Sequence, residues 1–146
     1  MNRNATFETF GGMRTLVADY RHWSVQARPR QVTLGAMVLL SHGPAHSFSE
    51  LPPEAFVELS HVVGDIEATA AATFGYAKIN YLMLMMVDPH VHFHVLPRYD
   101  APVEFEGVAY PDPGWPGQPD LGASAGLADA VRVASVLKAA WPKSRV

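Results

Sequence analysis

The clearest apolar pattern along the chain is Phe56, Leu59, Val63, Ile66, Ala70 and Phe74. Spacings of three and four place these side chains on one stripe of a helix, with Glu58, Asp65 and Glu67 off it. Pro52-Pro53-Glu54 opens this helix, because proline is tolerated in a first turn and an early glutamate suits the helix dipole. Gly75 stops it. Upstream, Arg14 to Tyr20 and Trp23 to Ala27 are short extended runs around Arg21-His22 and predict a hairpin. Val32 to Ser41 is mostly apolar and reads as a buried strand, in which Gly35 marks a bulge or a close backbone approach. Residues 42–51 read as a loop, and residues 1–12 as a lead-in that breaks at Gly11-Gly12.

Beyond the helix, Ile79 to Val87 predicts a strand that ends at Asp88-Pro89, and His90 to Pro97 predicts another. Pro102, Pro111, Pro113, Pro116 and Pro119 argue against continuous regular structure between Asp100 and Gly122. Leu127 to Trp141 reads as a short C-terminal helix stopped by Pro142. Short links between strands outnumber helical crossovers. The fold class is therefore α+β, an antiparallel sheet of about five strands with one long helix and a C-terminal helix.

The 146 residues suit a single domain, 1–146, with a core at 14–100, a proline-rich segment at 101–122 and a C-terminal helix and tail at 123–146. Apolar residues make up 49% and charged residues 17%, which excludes a disordered chain. A net charge of -3 lacks the basic field of a nucleic-acid binder. With no cysteine, a disulfide scaffold, a thiolate zinc site and a cysteine nucleophile are excluded. No run approaches the roughly 18 apolar residues of a membrane span. The N-terminal residues hold no apolar signal-peptide region, so a soluble, cytoplasmic protein is expected.

The chemistry concentrates in Asp88-Pro89-His90-Val91-His92-Phe93-His94-Val95-Leu96-Pro97-Arg98. Side chains alternate along a strand, so His90, His92 and His94 line one face, about 6.6 Å apart, and Val91, Phe93 and Val95 line the other. A core strand would not need three imidazoles, each wanting a partner when buried. Such a row suits three jobs. A neutral histidine whose tautomer is fixed is a nucleophile toward phosphorus, with its neighbours holding phosphate oxygens and protonating a leaving group. A His-x-His pair with a third histidine can bind zinc. One or two of the three can be structural.

His-φ-His-φ-His-φ-φ, with φ apolar, spans His90 to Leu96 and resembles the signature of the histidine triad (HIT) superfamily. The order of the hairpin, the strand with Gly35, the helix after Pro53 and the strand with Asn80 is similar too, over about residues 14 to 100. The resemblance implies a HIT-like α+β fold, a homodimer sharing a sheet, and no cofactor or metal for the attack. It implies hydrolysis or nucleotidyl transfer at the α-phosphate of a dinucleoside polyphosphate or nucleoside phosphoramidate. His92 would attack phosphorus to give a nucleotidyl-histidine, which water then releases as a nucleoside monophosphate. His90 and His94 would orient His92 and contact the phosphate or the leaving group.

Arg28, Asn80 and Arg98 are candidate nucleotide-binding residues. Each also has an ordinary reading, as a loop arginine, a structural asparagine and a surface arginine at a strand end. Trp23, Phe48 and Trp115 could stack on a base or pack in the core. The sequence departs from the family at two places. Ala36 stands where many members have a fourth histidine, and Met85 to Pro89 holds no glycine-rich loop. Those departures keep open a catalytically weak nucleotide-binding module; a zinc-histidine site is the third reading.

Overall fold

The computed structural model describes residues 3–123 and 128–142. Five strands build one antiparallel sheet: β1 (Leu16–Asp19), β2 (Trp23–Ala27), β3 (Met37–Ser41), β4 (Lys78–Leu82) and β5 (His92–Arg98). Their spatial order is β1-β2-β3-β5-β4. The last strand of this sheet in sequence thus slots between β3 and β4, and the histidine-bearing strand gains a neighbour on each side. Leu40 lies opposite His92, while Val38 on one side and Leu82 on the other lie opposite His94.

The sheet has two different faces. One packs under α2 (Pro53–Phe74) and α3 (Ala130–Ala140), with Trp23, Val25, Leu39, Val95, Ile66, Val133 and Leu137 in a shared core. Full burial of each such side chain contributes about 1.5–3 kcal/mol. Trp23 is wholly buried there and donates its indole N–H to the Ala55 carbonyl at 2.8 Å, so it is a core residue and not a base-stacking one. The other face carries His92 and His94 and is covered by α1 (Ala5–Thr9). There Phe7 and Phe10 pack with Val38 and Leu40.

The helix α2 begins at Pro53 and is capped at Gly75, as its flanking residues predict. Its buried side is shifted from the predicted stripe. Ile66, Ala70 and Phe74 are buried, but Phe56 is exposed and Asp65 is not. Asp65 is accommodated because it accepts a hydrogen bond from Tyr20 Oη at 2.7 Å, and Tyr20 Oη in turn accepts from the Trp141 indole at 2.7 Å. Gly35 sits ahead of β3, which starts only at Met37, with φ 84°. A Cβ there would come within 2.8–2.9 Å of the Phe74 ring, so it is a close approach of backbone to helix.

Three other expectations are corrected. Residues 1–12 are not a plain lead-in, because Asn4 caps α1 by accepting from the Phe7 N–H at 3.1 Å. The strand expected over 79–87 stops at Leu82. The proline-rich segment holds a small hairpin, β6 (Val103–Phe105) and β7 (Val108–Tyr110), fitted between Pro102 and Pro111. Helix α3 starts after its cap, Asp129, and Leu127 lies outside the described residues. No helix among the described residues is long and apolar enough to cross a membrane.

Candidate active site

Strand alternation puts His92 and His94 on the same face of β5, with ring centroids 5.0 Å apart. His90 falls just before the strand begins, but its backbone carbonyl serves the site directly. The His92 Nδ1 lies 2.6 Å from that carbonyl oxygen. A carbonyl only accepts, so Nδ1 carries the proton and Nε2 keeps its lone pair. The spacing of two residues along an extended chain therefore does two jobs. It places the rings side by side, and it uses the backbone of one histidine to fix the tautomer of the next.

His94 is fixed in the opposite sense. The Arg28 guanidinium donates its Nε–H to His94 Nδ1 at 3.2 Å, which leaves the proton of the neutral ring on Nε2. Burial first, then the Arg28 cation and His92, hold the His94 pKa down at about 4. At neutral pH this ring is an uncharged donor through Nε2. Arg28 is itself half-buried, its pKa lowered by burial and by Arg30, and it is held in place through Nη1 by the Arg30 carbonyl at 2.8 Å.

His90 Nδ1 lies 2.7 Å from Thr6 Oγ1, and the His46 ring sits edge-on to it at 4.8 Å. Burial, then His46 and His92, lower the His90 pKa as well. Neither Thr6 nor His46 is singled out by the sequence. His46 comes from the loop ahead of α2 and carries no spacing signal. Thr6 had one, since Asn4 is a good cap residue before a short helical run.

Asn80 and Arg98 are brought together away from the imidazoles. The Asn80 Oδ1 accepts from Arg98 Nη1 at 2.8 Å. Arg98 also binds Asp112, Nε to Oδ2 at 2.6 Å and Nη2 to Oδ1 at 3.2 Å, and donates to the Gly117 carbonyl at 2.9 Å. Arg98 is 4% exposed, not a surface arginine, and its donors tie the proline-rich segment to β5. Ala36 is wholly buried among Val32 and Leu96. Of the expected site residues, His90, His92, His94 and Arg28 thus form one cluster, and Asn80 with Arg98 forms a second, structural one.

The arrangement has clear chemical capacity. An Nε2 of His92 left unprotonated by the Nδ1–H contact stands on the same face as a neutral Nε2–H donor on His94 and the Arg28 guanidinium. That is a nucleophile with a donor and a positive charge next to it, the combination that attack on an anionic, electrophilic centre requires.

No family model matches the sequence, and none of the curated proteins does. Solved structures do match. The chain superposes on a histidine triad protein from Sinorhizobium meliloti with a TM-score of 0.70 at 17% identity, covering 93% of each chain. A histidine triad protein from Bradyrhizobium japonicum matches with a TM-score of 0.62 at 17% identity over 94% of this chain and 96% of that one. A zinc-bound histidine triad family protein from Mycobacterium smegmatis matches with a TM-score of 0.58 at 17% identity, over 86% and 82%. With its sheet order, its long helix, His92 and His94 on the fifth strand and His90 just ahead of it, the chain has the fold of the histidine triad (HIT) proteins.

Proposed function

We propose that the protein is a nucleotide hydrolase or nucleotidyl transferase in which His92 attacks the α-phosphorus of a dinucleoside polyphosphate or nucleoside phosphoramidate. The observation that carries this reading is the tautomer of His92, whose Nδ1–H is spent on the His90 carbonyl at 2.6 Å. In the first step a bond forms from Nε2 to phosphorus, and the bond to the leaving group breaks. The leaving group takes its proton from solvent, and we assign His90, whose Nδ1 lies 2.7 Å from Thr6 Oγ1, to contact with that group. His94 Nε2–H and Arg28 hold the phosphate oxygens as negative charge gathers on them. In the second step water displaces His92 from phosphorus, and a nucleoside monophosphate leaves.

Asn80 and Arg98 support this reaction by holding β4, β5 and Asp112 in register further along the sheet from the imidazoles. A second copy of the chain is expected along β4, the free edge nearest β5, where Leu84, Met86 and Val87 are exposed just beyond the strand. A nucleotide-binding module with little turnover is the second reading. It is favoured by Ala36, which supplies no imidazole, and by the complete burial of His92.

The test is release of nucleoside monophosphate from adenosine and guanosine phosphoramidates and dinucleoside polyphosphates, with a chelator present. Release that survives the chelator supports the histidine nucleophile and disposes of a zinc-dependent reaction. Nucleoside monophosphate binding that raises thermal stability, with no release from any substrate, would replace the enzyme by the binding module.

A further inference from the structure

His92 is 0% exposed, and its Nε2 is buried without a hydrogen-bond partner. That atom is the one phosphorus must reach, so in this arrangement the nucleophile is shut in. What shuts it in is residues 3–12. The Phe10 ring lies 5.6 Å from His92 and 5.8 Å from His94, and Phe7 packs beside it on Val38 and Leu40. Thr6 engages His90.

The cover is held by bonds at both ends. At its start, Asn4 Nδ2 donates to the Ser41 and Gly43 carbonyls, each at 3.0 Å, and Arg3 pairs with Asp19 at 2.5 Å. At its end, Gln26 Nε2, from the same sheet face, donates to the Phe7 carbonyl at 2.9 Å and the Gly12 carbonyl at 3.2 Å. Between cover and sheet lie Gly11 and Gly12, with φ of 105° and 58°. A Cβ on Gly11 would meet the Thr15 side chain at 2.6–2.7 Å, so the closed turn demands glycine.

We infer that residues 3–12 form a gate over His92 that swings about Gly11-Gly12 to admit the phosphate of a nucleotide. This rests on the reading of His92 as the nucleophile. A helix of five residues does not persist alone, so its stability comes from the sheet beneath it. The ion pair at its start is partly exposed and weak. Burial of Phe7 and Phe10 favours the closed form, and the open form is a minor state whose population sets how readily substrate enters. Regulation follows directly: whatever binds or displaces residues 3–12 changes access to His92 without touching the chemistry.

The experiment is acylation of the full chain by diethyl pyrocarbonate, read histidine by histidine by peptide mass spectrometry, with exposed His61 as the internal reference. Asn4→Ala removes the cap and both carbonyl contacts, and Gly11→Ala strains the closed turn; neither residue touches an imidazole of the site. In the wild type His92 is expected to react far more slowly than His61. Loss of the Asn4 cap alone is expected to raise the His92 rate about fivefold, with the His61 rate unchanged. Gly11→Ala is expected to act in the same direction. The gate is overturned if His92 reacts as fast as His61 in the wild type, or if its rate is unchanged in both variants while their circular dichroism matches wild type. None of these readings needs turnover, so a gate without hydrolysis and a hydrolase without a gate give different results.

Discussion

At the scale of single residues, the site depends on which nitrogen of each imidazole holds the proton. Arg28→Gln removes a charged donor from His94 Nδ1. The loss of about 1.5 kcal/mol predicts a turnover about tenfold lower, and a His94 ring that no longer holds one tautomer by nitrogen NMR. A fall in rate with the His94 tautomer unchanged would assign Arg28 to the phosphate alone. His94 also links stability to pH. Its pKa is about 4 in the folded chain against an ordinary histidine value of 6.5, so between these values the unfolded chain binds more protons. Stability is therefore complete above pH 6.5 and is lost as pH falls toward 4. Urea midpoints across that range should drop in the wild type, and drop less in His94→Gln. The face shared by His92 and His94 was legible in the sequence, because alternation along a strand is a local rule. The burial of His92 was not, because it is imposed by Phe10, more than eighty positions away.

At the scale of elements, the Arg98–Asp112 pair fastens the proline-rich segment to β5. Both side chains are almost wholly out of solvent. Asp112→Ala leaves the Arg98 charge buried without its partner, which predicts a loss of about 3–5 kcal/mol in chemical denaturation. A loss below about 1 kcal/mol would mean that the guanidinium finds solvent instead. Neither member was readable as a pair, since an arginine at a strand end and an aspartate among prolines carry no joint signal. Helix α2 was legible from its period and its flanking proline and glycine. Its exact buried side was not, because Asp65 is drawn inward by Tyr20 and Trp141. Helix α1 was missed for a related reason: five residues give too short a window for periodicity, and the sheet beneath supplies what makes it a helix.

At the scale of the whole molecule, the two sheet edges differ. On β1, Asp19 is engaged by Arg3, which charges that edge. On β4 the outer edge pairs with no strand among the described residues, and Leu84, Met86 and Val87 after it are apolar and exposed. Sedimentation at micromolar concentration should therefore give twice the chain mass, reduced to one chain mass by Met86→Asp with Val87→Asp. A wild-type monomer would remove β4 as an interface. The order of elements and the antiparallel sheet were legible because links between strands are short. The insertion of β5 between β3 and β4 was not legible, since no local pattern in the chain encodes it.

The proposed reaction depends above all on a bond from His92 Nε2 to phosphorus. Its most direct measurement is a rapid alkaline quench of the full chain turning over adenosine phosphoramidate, followed by peptide mass spectrometry, with wild type set against His92→Gly. An adenylyl adduct is expected on His92 in the wild type, and in the variant neither adduct nor release of adenosine monophosphate while the fold persists. Release at the wild-type rate from His92→Gly would contradict it.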